Sequence, residues 1–218
     1  LVSGGAALAQ SQALGEVDSY AVAPETLRAY IREQLAETIN YLVLYTVGRI
    51  HYWQAINMRD AGQDPNAEFQ MALRIFNQAI ADVEARVGEN PATNLSELGA
   101  EVLFFSRGSI YLNLQEWEKA AKDFERAIQI KPGYSQAHYD LAYVCQWGGG
   151  GKEEDFNKAR DQYRLAVETD TTPNRWVAIQ AYWGLGWLEY ELGDYDEAIT
   201  VTQMAVDLNP DDQSPDDE

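Results

Sequence analysis

The sequence predicts an all-α fold: an α-solenoid of about four helix–turn–helix units, preceded by an extra helix and an extended segment. Three observations carry this. Phe69, Trp117, Phe156 and Tyr195 each stand three residues ahead of an alanine (Ala72, Ala120, Ala159, Ala198), and seven residues later comes a second one (Ala79, Ala127, Ala166, Ala205). The alternation of apolar and polar residues that marks strands is missing between the turn clusters. The chain has 218 residues, 46% of them hydrophobic, enough for one domain-sized unit with a continuous core. A fixed period marks one supersecondary element stacked on copies of itself, and about three copies make such an array stable.

Each unit follows from local chemistry. Alanines seven apart share a helix face and let a neighbouring helix approach closely, while the ring ahead of them closes the end of that contact. Units 101–134 and 179–212 are the best defined. In the first, Phe104, Gly108 and Tyr111 precede Trp117, and Pro132 follows Ala127. In the second, Tyr182, Leu185 and Gly186 precede the turn Leu192-Gly193-Asp194, and Pro210 follows Ala205. Unit 135–173 keeps Leu141, Ala142, Phe156, Ala159, Tyr163 and Ala166, gains Gly148-Gly149-Gly150-Gly151, and has Thr171 in place of the closing proline. Unit 41–86 keeps Leu44, Val47, Gly48, Phe69, Ala72, Phe76 and Ala79, with its turn expanded around Asp60-Ala61-Gly62-Gln63-Asp64-Pro65.

Upstream, Pro24 and Glu25 open a helical pattern without a breaker before Asp60. Residues 24–40 are therefore expected to extend the first repeat helix or to form a separate helix, capping the stack. Gly88-Glu89-Asn90-Pro91 reads as a turn, with Asn94 or Ser96 as the cap of the next helix.

These offsets resemble the tetratricopeptide repeat, a helix–turn–helix of about 34 residues. The resemblance spans most of residues 41–212. Departures are Arg107 at a usually apolar position, Glu189 where Tyr is usual, and Thr202 where an aromatic is usual. The resemblance implies a non-enzymatic scaffold whose first helices line a concave, peptide-capturing surface. Aligned by repeat, the inward positions hold Tyr45, Arg49, Tyr52 and Trp53 in unit one, and Phe105, Ser109, Leu112 and Asn113 in unit two. Unit three offers Tyr139, Tyr143, Gln146 and Trp147; unit four offers Trp183, Trp187, Tyr190 and Glu191.

The rings in that set, with Arg49, are the expected partner-binding groove. Core positions are filled separately by Phe104, Leu141, Leu185 and the alanines, and so many exposed rings would form a patch that monomers rarely carry without a use. Two other readings leave the rings buried: against one another in a tight superhelix, or beneath residues 1–23. Family members that capture acidic chaperone tails use a clamp of Lys, Arg and Asn, and the matching places here hold Tyr45, Arg49, Gln136 and Asp140. With one basic group left, the resemblance implies an apolar or proline-containing segment, or an amphipathic helix. The alternative is a self-assembling subunit whose residues 1–23, with Leu1, Val2, Leu8, Leu14, Val17, Tyr20 and Val22, dock into its own or a neighbour's groove.

Lys and Arg number 16 against 35 Asp and Glu, a formal net charge of −19 that disfavours nucleic acid. Such a balance fits a solvated outer face, adaptation to salt, or attraction of a basic partner. Residues 213–218 read as an acidic tail. One cysteine excludes an intrachain disulfide. Cys145, His51 and His138 fall on packing positions, so no catalytic residue, metal or cofactor is expected. The Gly148–Gly151 run lacks the strand before it and the Lys-Ser/Thr after it that a phosphate loop requires. Leu1 to Gln10 fits the end of a signal peptide, the stub of an anchor upstream of Leu1, or an Ala/Gly-rich extension. An exported or membrane-tethered protein is the first expectation and a cytoplasmic one the alternative. No stretch of the sequence approaches the ~18 apolar residues of a spanning helix.

Overall fold

Small residues recur wherever two helices meet, and the helices pair accordingly. A computed structural model describes residues 25–89, 94–150 and 152–208. Within them lie helices α1 (Glu25–Asp60), α2 (Asn66–Glu89), α3 (Glu101–Asn113), α4 (Trp117–Ile130), α5 (Ser135–Gly148), α6 (Glu153–Thr169), α7 (Trp176–Leu192) and α8 (Tyr195–Leu208), with no strand among the described residues. The chain divides into residues 1–43 and 44–218. Of the first unit the described part is helical; all that follows concerns the second. The expected arm at 1–23, the turn residues 90–93 and the acidic tail at 213–218 lie outside the described residues.

From Leu44 onward, α1 packs on α2, and α3 on α4, α5 on α6 and α7 on α8 follow, while α2–α3, α4–α5 and α6–α7 join successive pairs. All eight periodic alanines are buried. They leave room for rings from the partner helix. A Cβ on Gly108 would stand 2.8 Å from the Phe124 ring, and one on Gly48 would stand 2.9 Å from Phe76. Between pairs the same device appears at Gly184, where a Cβ would lie 2.6 Å from Tyr163, itself fully buried. The core runs without a break through Ala120, Phe124, Leu141, Tyr163, Leu185 and Val201.

The charged departures from the repeat pattern are paired. The Arg107 guanidinium donates from Nε and Nη2 to both oxygens of Asp123 at 2.7 Å and from Nη1 to Asn77 Oδ1 at 2.8 Å. Arg160 donates to Glu189 at 2.6 and 2.7 Å, tying α6 to α7. Glu189 is buried, so its carboxylate is tolerable only with this bidentate partner.

Helix ends differ from expectation at two places. Neither Asn94 nor Ser96 caps α3, which starts at Glu101 after an Ala100 N-cap with no side-chain hydrogen bond. Asn94 Oδ1 instead accepts the N–H of Ser96 at 3.0 Å, closing an Asx turn that occupies the residues before the helix. The start of α7 is capped from a distance. Asp170, at the end of α6, accepts the Ala178 N–H at 2.9 Å and both the N–H and the hydroxyl of Thr172. At the other end of α7, Gly193 (φ 84°) supplies the left-handed residue that lets the Asp194 N–H reach Glu189 O at 2.9 Å. Among the described residues no helix is long and apolar enough to cross a membrane.

Two outcomes test this packing. Gly184→Val drives methyl groups into Tyr163 and is expected to lower stability by about 2 kcal/mol in urea denaturation; an unchanged midpoint would show that the ring can move aside. Asp170→Ala leaves the Ala178 and Thr172 donors unpaired, at a cost of about 2–3 kcal/mol near neutrality. Burial works to raise the Asp170 carboxyl, but hydrogen bonds from Thr172 and Ala178, with Arg175 nearby, hold it below the ordinary range. Its contribution is therefore present above the unfolded aspartate value of about 3.9 and is lost as pH falls through the lower folded value. The stability gap between wild type and Asp170→Ala is expected to hold above about pH 4 and to close as pH falls further, through the folded value.

Candidate functional site

The face of α1 that follows i, i+4, i+7 spacing carries Tyr45, Arg49 and Tyr52, with Trp53 alongside. Opposite it stand Phe105, Ser109, Leu112 and Asn113 of α3. Tyr134, just ahead of α5, and Gln136 and Asp140 within it complete the lining. Together with Phe76 and Ser106 they enclose a cavity of about 490 Å³.

Its apolar walls are rings held by other rings. Tyr45 meets Phe76 edge-on at 6.4 Å, Tyr52 meets Trp53 at 5.5 Å, and Phe105 lies 5.0 Å from Tyr134. Such contacts fix ring orientation at about 0.5–1.5 kcal/mol each beyond area burial. The polar lining is mostly spoken for locally: Ser106 and Ser109 donate to Val102 O and Phe105 O, and Asn113 donates to Ser109 O. Arg49 donates to Tyr45 Oη at 3.1 Å and its guanidinium carbon sits 5.7 Å from that ring. Burial raises the Tyr52 hydroxyl, with the Asn113 hydrogen bond opposing it.

Asp140 is different. Its carboxylate accepts from Gln136 Nε2 at 3.3 Å, and no cation among the described residues lies within 4 Å of it. Burial pushes it up to about 7, with the Gln136 hydrogen bond pulling the other way.

The remaining expected groove residues lie outside this cavity. Tyr139 packs against Tyr163 at 5.9 Å, at the edge of the core. Tyr143 and Trp147 meet at 6.2 Å on an exposed face of α5. Trp183, Trp187 and Tyr190 line a second recess of about 550 Å³ with Tyr195, Ala198, Ile199, Thr202, Gln203 and Val206 of α8. That recess is the outward face of the last described helix pair, where Tyr195 is 58% and Ile199 70% exposed. In the preceding pair Tyr163 seats on Gly184 of the next; Thr202, at the same repeat position, is shorter and lies against Gly186 of its own pair. The departure at Thr202 was the sequence signal for this recess. Asp140 stands out in the sequence only as an acidic residue at a clamp position, and Tyr134 carries no signal of its own.

The other chemistry-bearing side chains are engaged. His51 Nδ1 meets Glu68 at 2.6 Å, and His138 bridges Gln162 and the Pro132 carbonyl. Cys145 is buried, as a packing residue should be, and burial pushes its thiol up to about 11. Gly148 ends α5 where a Cβ would stand 2.7 Å from Trp117, and Gly150 takes φ 74°, so the described part of this insertion leaves α5 pressed against the α4 terminus.

A stack of helix pairs with open, ring-lined faces defines a repeat scaffold of the protein–protein interaction class. Residues 102–134 and 179–212 match models of the tetratricopeptide repeat, so the chain carries tetratricopeptide repeats. Over 90 residues it is 31% identical to the tetratricopeptide repeat and J domain-containing co-chaperone DNJ1 of Fusarium oxysporum f. sp. lycopersici, covering 41% of this chain and 15% of that protein. The chain thus spans about 15% of the length of that curated relative. Among solved structures, BtubC from P. vanneervenii superposes with a TM-score of 0.58 at 16% identity, over 88% of this chain and 77% of that one. YrrB, described as a tetratricopeptide repeat protein with an unusual peptide-binding site, gives 0.50 at 16% identity over 84% of each chain. At such identities these likenesses establish the fold.

The thiol gives a direct check on the site's surroundings. Cys145 is expected to resist dithionitrobenzoate at pH 8 in the native state and to react fully in denaturant. Rapid native reaction would mean that α5 opens readily.

Proposed function

We propose that this chain is a non-enzymatic scaffold or assembly factor that holds an apolar or proline-containing segment of a partner protein against its first helices. The cavity between α1, α3 and α5 carries this reading, because it combines fixed aromatic walls with room for side chains of an extended segment. The groove we assign comprises Tyr45, Arg49, Tyr52, Trp53 and Phe105 there, continued by Tyr139, Tyr143 and Trp147 along α5 and by Trp183, Trp187 and Tyr190 along α7. Half-exposed Trp and Tyr are suited to the task, since each offers large apolar area and one polar handle at little cost in side-chain entropy. The peptide-binding site named for YrrB is consistent with such a use of the fold.

A second reading, self-association, is favoured by the open end face. Trp187, Tyr190, Tyr195 and Ile199 form a contiguous apolar surface of the kind that a further helix covers between successive pairs. A second copy of the chain is the occupant this reading names.

Paired variants separate the two. Trp53→Ala with Phe105→Ala is expected to weaken partner retention in pull-downs at least tenfold, each buried ring contributing about 1–2 kcal/mol or more, without changing the sedimentation coefficient. Ile199→Glu with Tyr195→Ser is expected to shift sedimentation towards the monomer if copies associate, and to leave partner retention intact. Retention unaffected by the first pair would overturn the groove reading.

A further inference from the structure

Resting on the groove reading, we infer that the cavity between α1, α3 and α5 is a subsite for a cationic side chain, Lys or Arg, of the bound segment, with the Asp140 carboxylate as its counter-ion and the Tyr45, Tyr52, Phe105 and Tyr134 rings as its walls.

Four observations converge on a cation. Asp140 lines the cavity and is a carboxylate without a cationic partner among the described residues, whereas Asp123 and Glu189, two buried carboxylates at helix interfaces, are each held bidentately by an arginine. Its one side-chain hydrogen bond, from Gln136 at 3.3 Å, is long and leaves acceptor capacity free. The walls are aromatic faces, which attract cations and accommodate the methylene stem of Lys or Arg. The chain as a whole carries a formal charge of −19, which raises the encounter rate with a basic segment.

The opposing charge is Arg49, also in the lining, but its guanidinium is exposed and turned onto Tyr45, so it lies on the water side of the cavity. Of the other charged groups nearby, Arg59 is engaged with Asp60 and Asn113, and Glu101, which does not line the cavity, has Lys131 at 3.8 Å. Burial raises the Tyr134 and Tyr52 hydroxyls, so neither ionises near neutrality. An arriving ammonium or guanidinium therefore has one ionisable partner to answer it.

Because desolvation disfavours the ionised carboxylate, the free site is partly protonated near neutrality and a bound cation drives the proton off. Affinity for a cation is thus expected to rise from pH 6 to pH 8, and affinity for a neutral side chain to stay level. The probes are capped amino acids: Nα-acetyl-lysine methylamide and its isostere Nα-acetyl-norleucine methylamide, titrated into the full chain and followed by NMR. The Asp140 side-chain carboxyl and the amides of α1, α3 and α5 are the reporters.

At pH 8 the lysine probe is expected to bind about tenfold more tightly than the norleucine probe, the discrimination of one charge-assisted hydrogen bond. It should also lower the titration midpoint of the Asp140 carboxyl. Asp140→Asn is expected to abolish the preference, and Arg49→Gln to strengthen lysine binding severalfold. Equal binding of the two probes, or a preference that survives in Asp140→Asn, overturns the cationic subsite and leaves the apolar groove standing. Lysine binding that depends on Asp140, with no norleucine binding, keeps the subsite and removes the apolar groove. Failure of both probes to perturb the site overturns both.

Discussion

The structure depends on a ring meeting a residue that has no side chain to oppose it. Phe76 over Gly48, Phe124 over Gly108 and Tyr163 over Gly184 are the same contact repeated within and between helix pairs. Dispersion energy falls away quickly with separation, so this contact holds only while the helix axes stay close. The buried alanines keep them close along the rest of each interface. Helix crossing, pair spacing and the position of every first-helix side chain are set by that approach.

Its consequence for charge is severe. With interfaces this tight, a carboxylate that lands in one has no room for water and must be answered by protein. Arg107–Asp123 and Arg160–Glu189 meet that requirement by bidentate pairing. Such pairs add little net stability compared with apolar residues of the same size, but they fix which helix faces which. Asp140 escapes this rule because it points into a cavity rather than an interface. Asp123 and Glu189 are answered by arginines and Asp140 is not, and that contrast sets the groove carboxylate apart from those two.

Most of the scaffold was legible in the sequence because close packing imposes a period. Ala72, Ala120, Ala159 and Ala198 announced the second helices, and Gly48, Gly108 and Gly186 the first. Arg107 and Glu189 were visible as exceptions but not as solutions, since their partners Asp123 and Arg160 lie 16 and 29 residues away. The cap of α7 was not legible at all: Asp170 acts across a turn that ends in Arg175 with φ 48°, outside any local capping pattern. The groove residues were named by alignment, and alignment gives the face of a helix but not its neighbour. Trp183, Trp187 and Tyr190 therefore share a repeat position with Tyr45, Arg49 and Tyr52 yet line a recess with α8 instead. Asp140 was seen as a missing clamp residue; its lack of a cationic partner is a three-dimensional fact.

Thr202 has a wider effect than the hollow it leaves. An array in which each pair touches only its neighbours behaves as a one-dimensional lattice, its cooperativity carried by the interfaces between units. The pair α7–α8 ends the described lattice with one interface made and one face bare. Thermal opening is easiest at such a boundary, and the boundary propagates inward one pair at a time. Whatever settles on Trp187, Tyr195 and Ile199 supplies the missing interface, and by mass action it stiffens the helices beyond its own footprint.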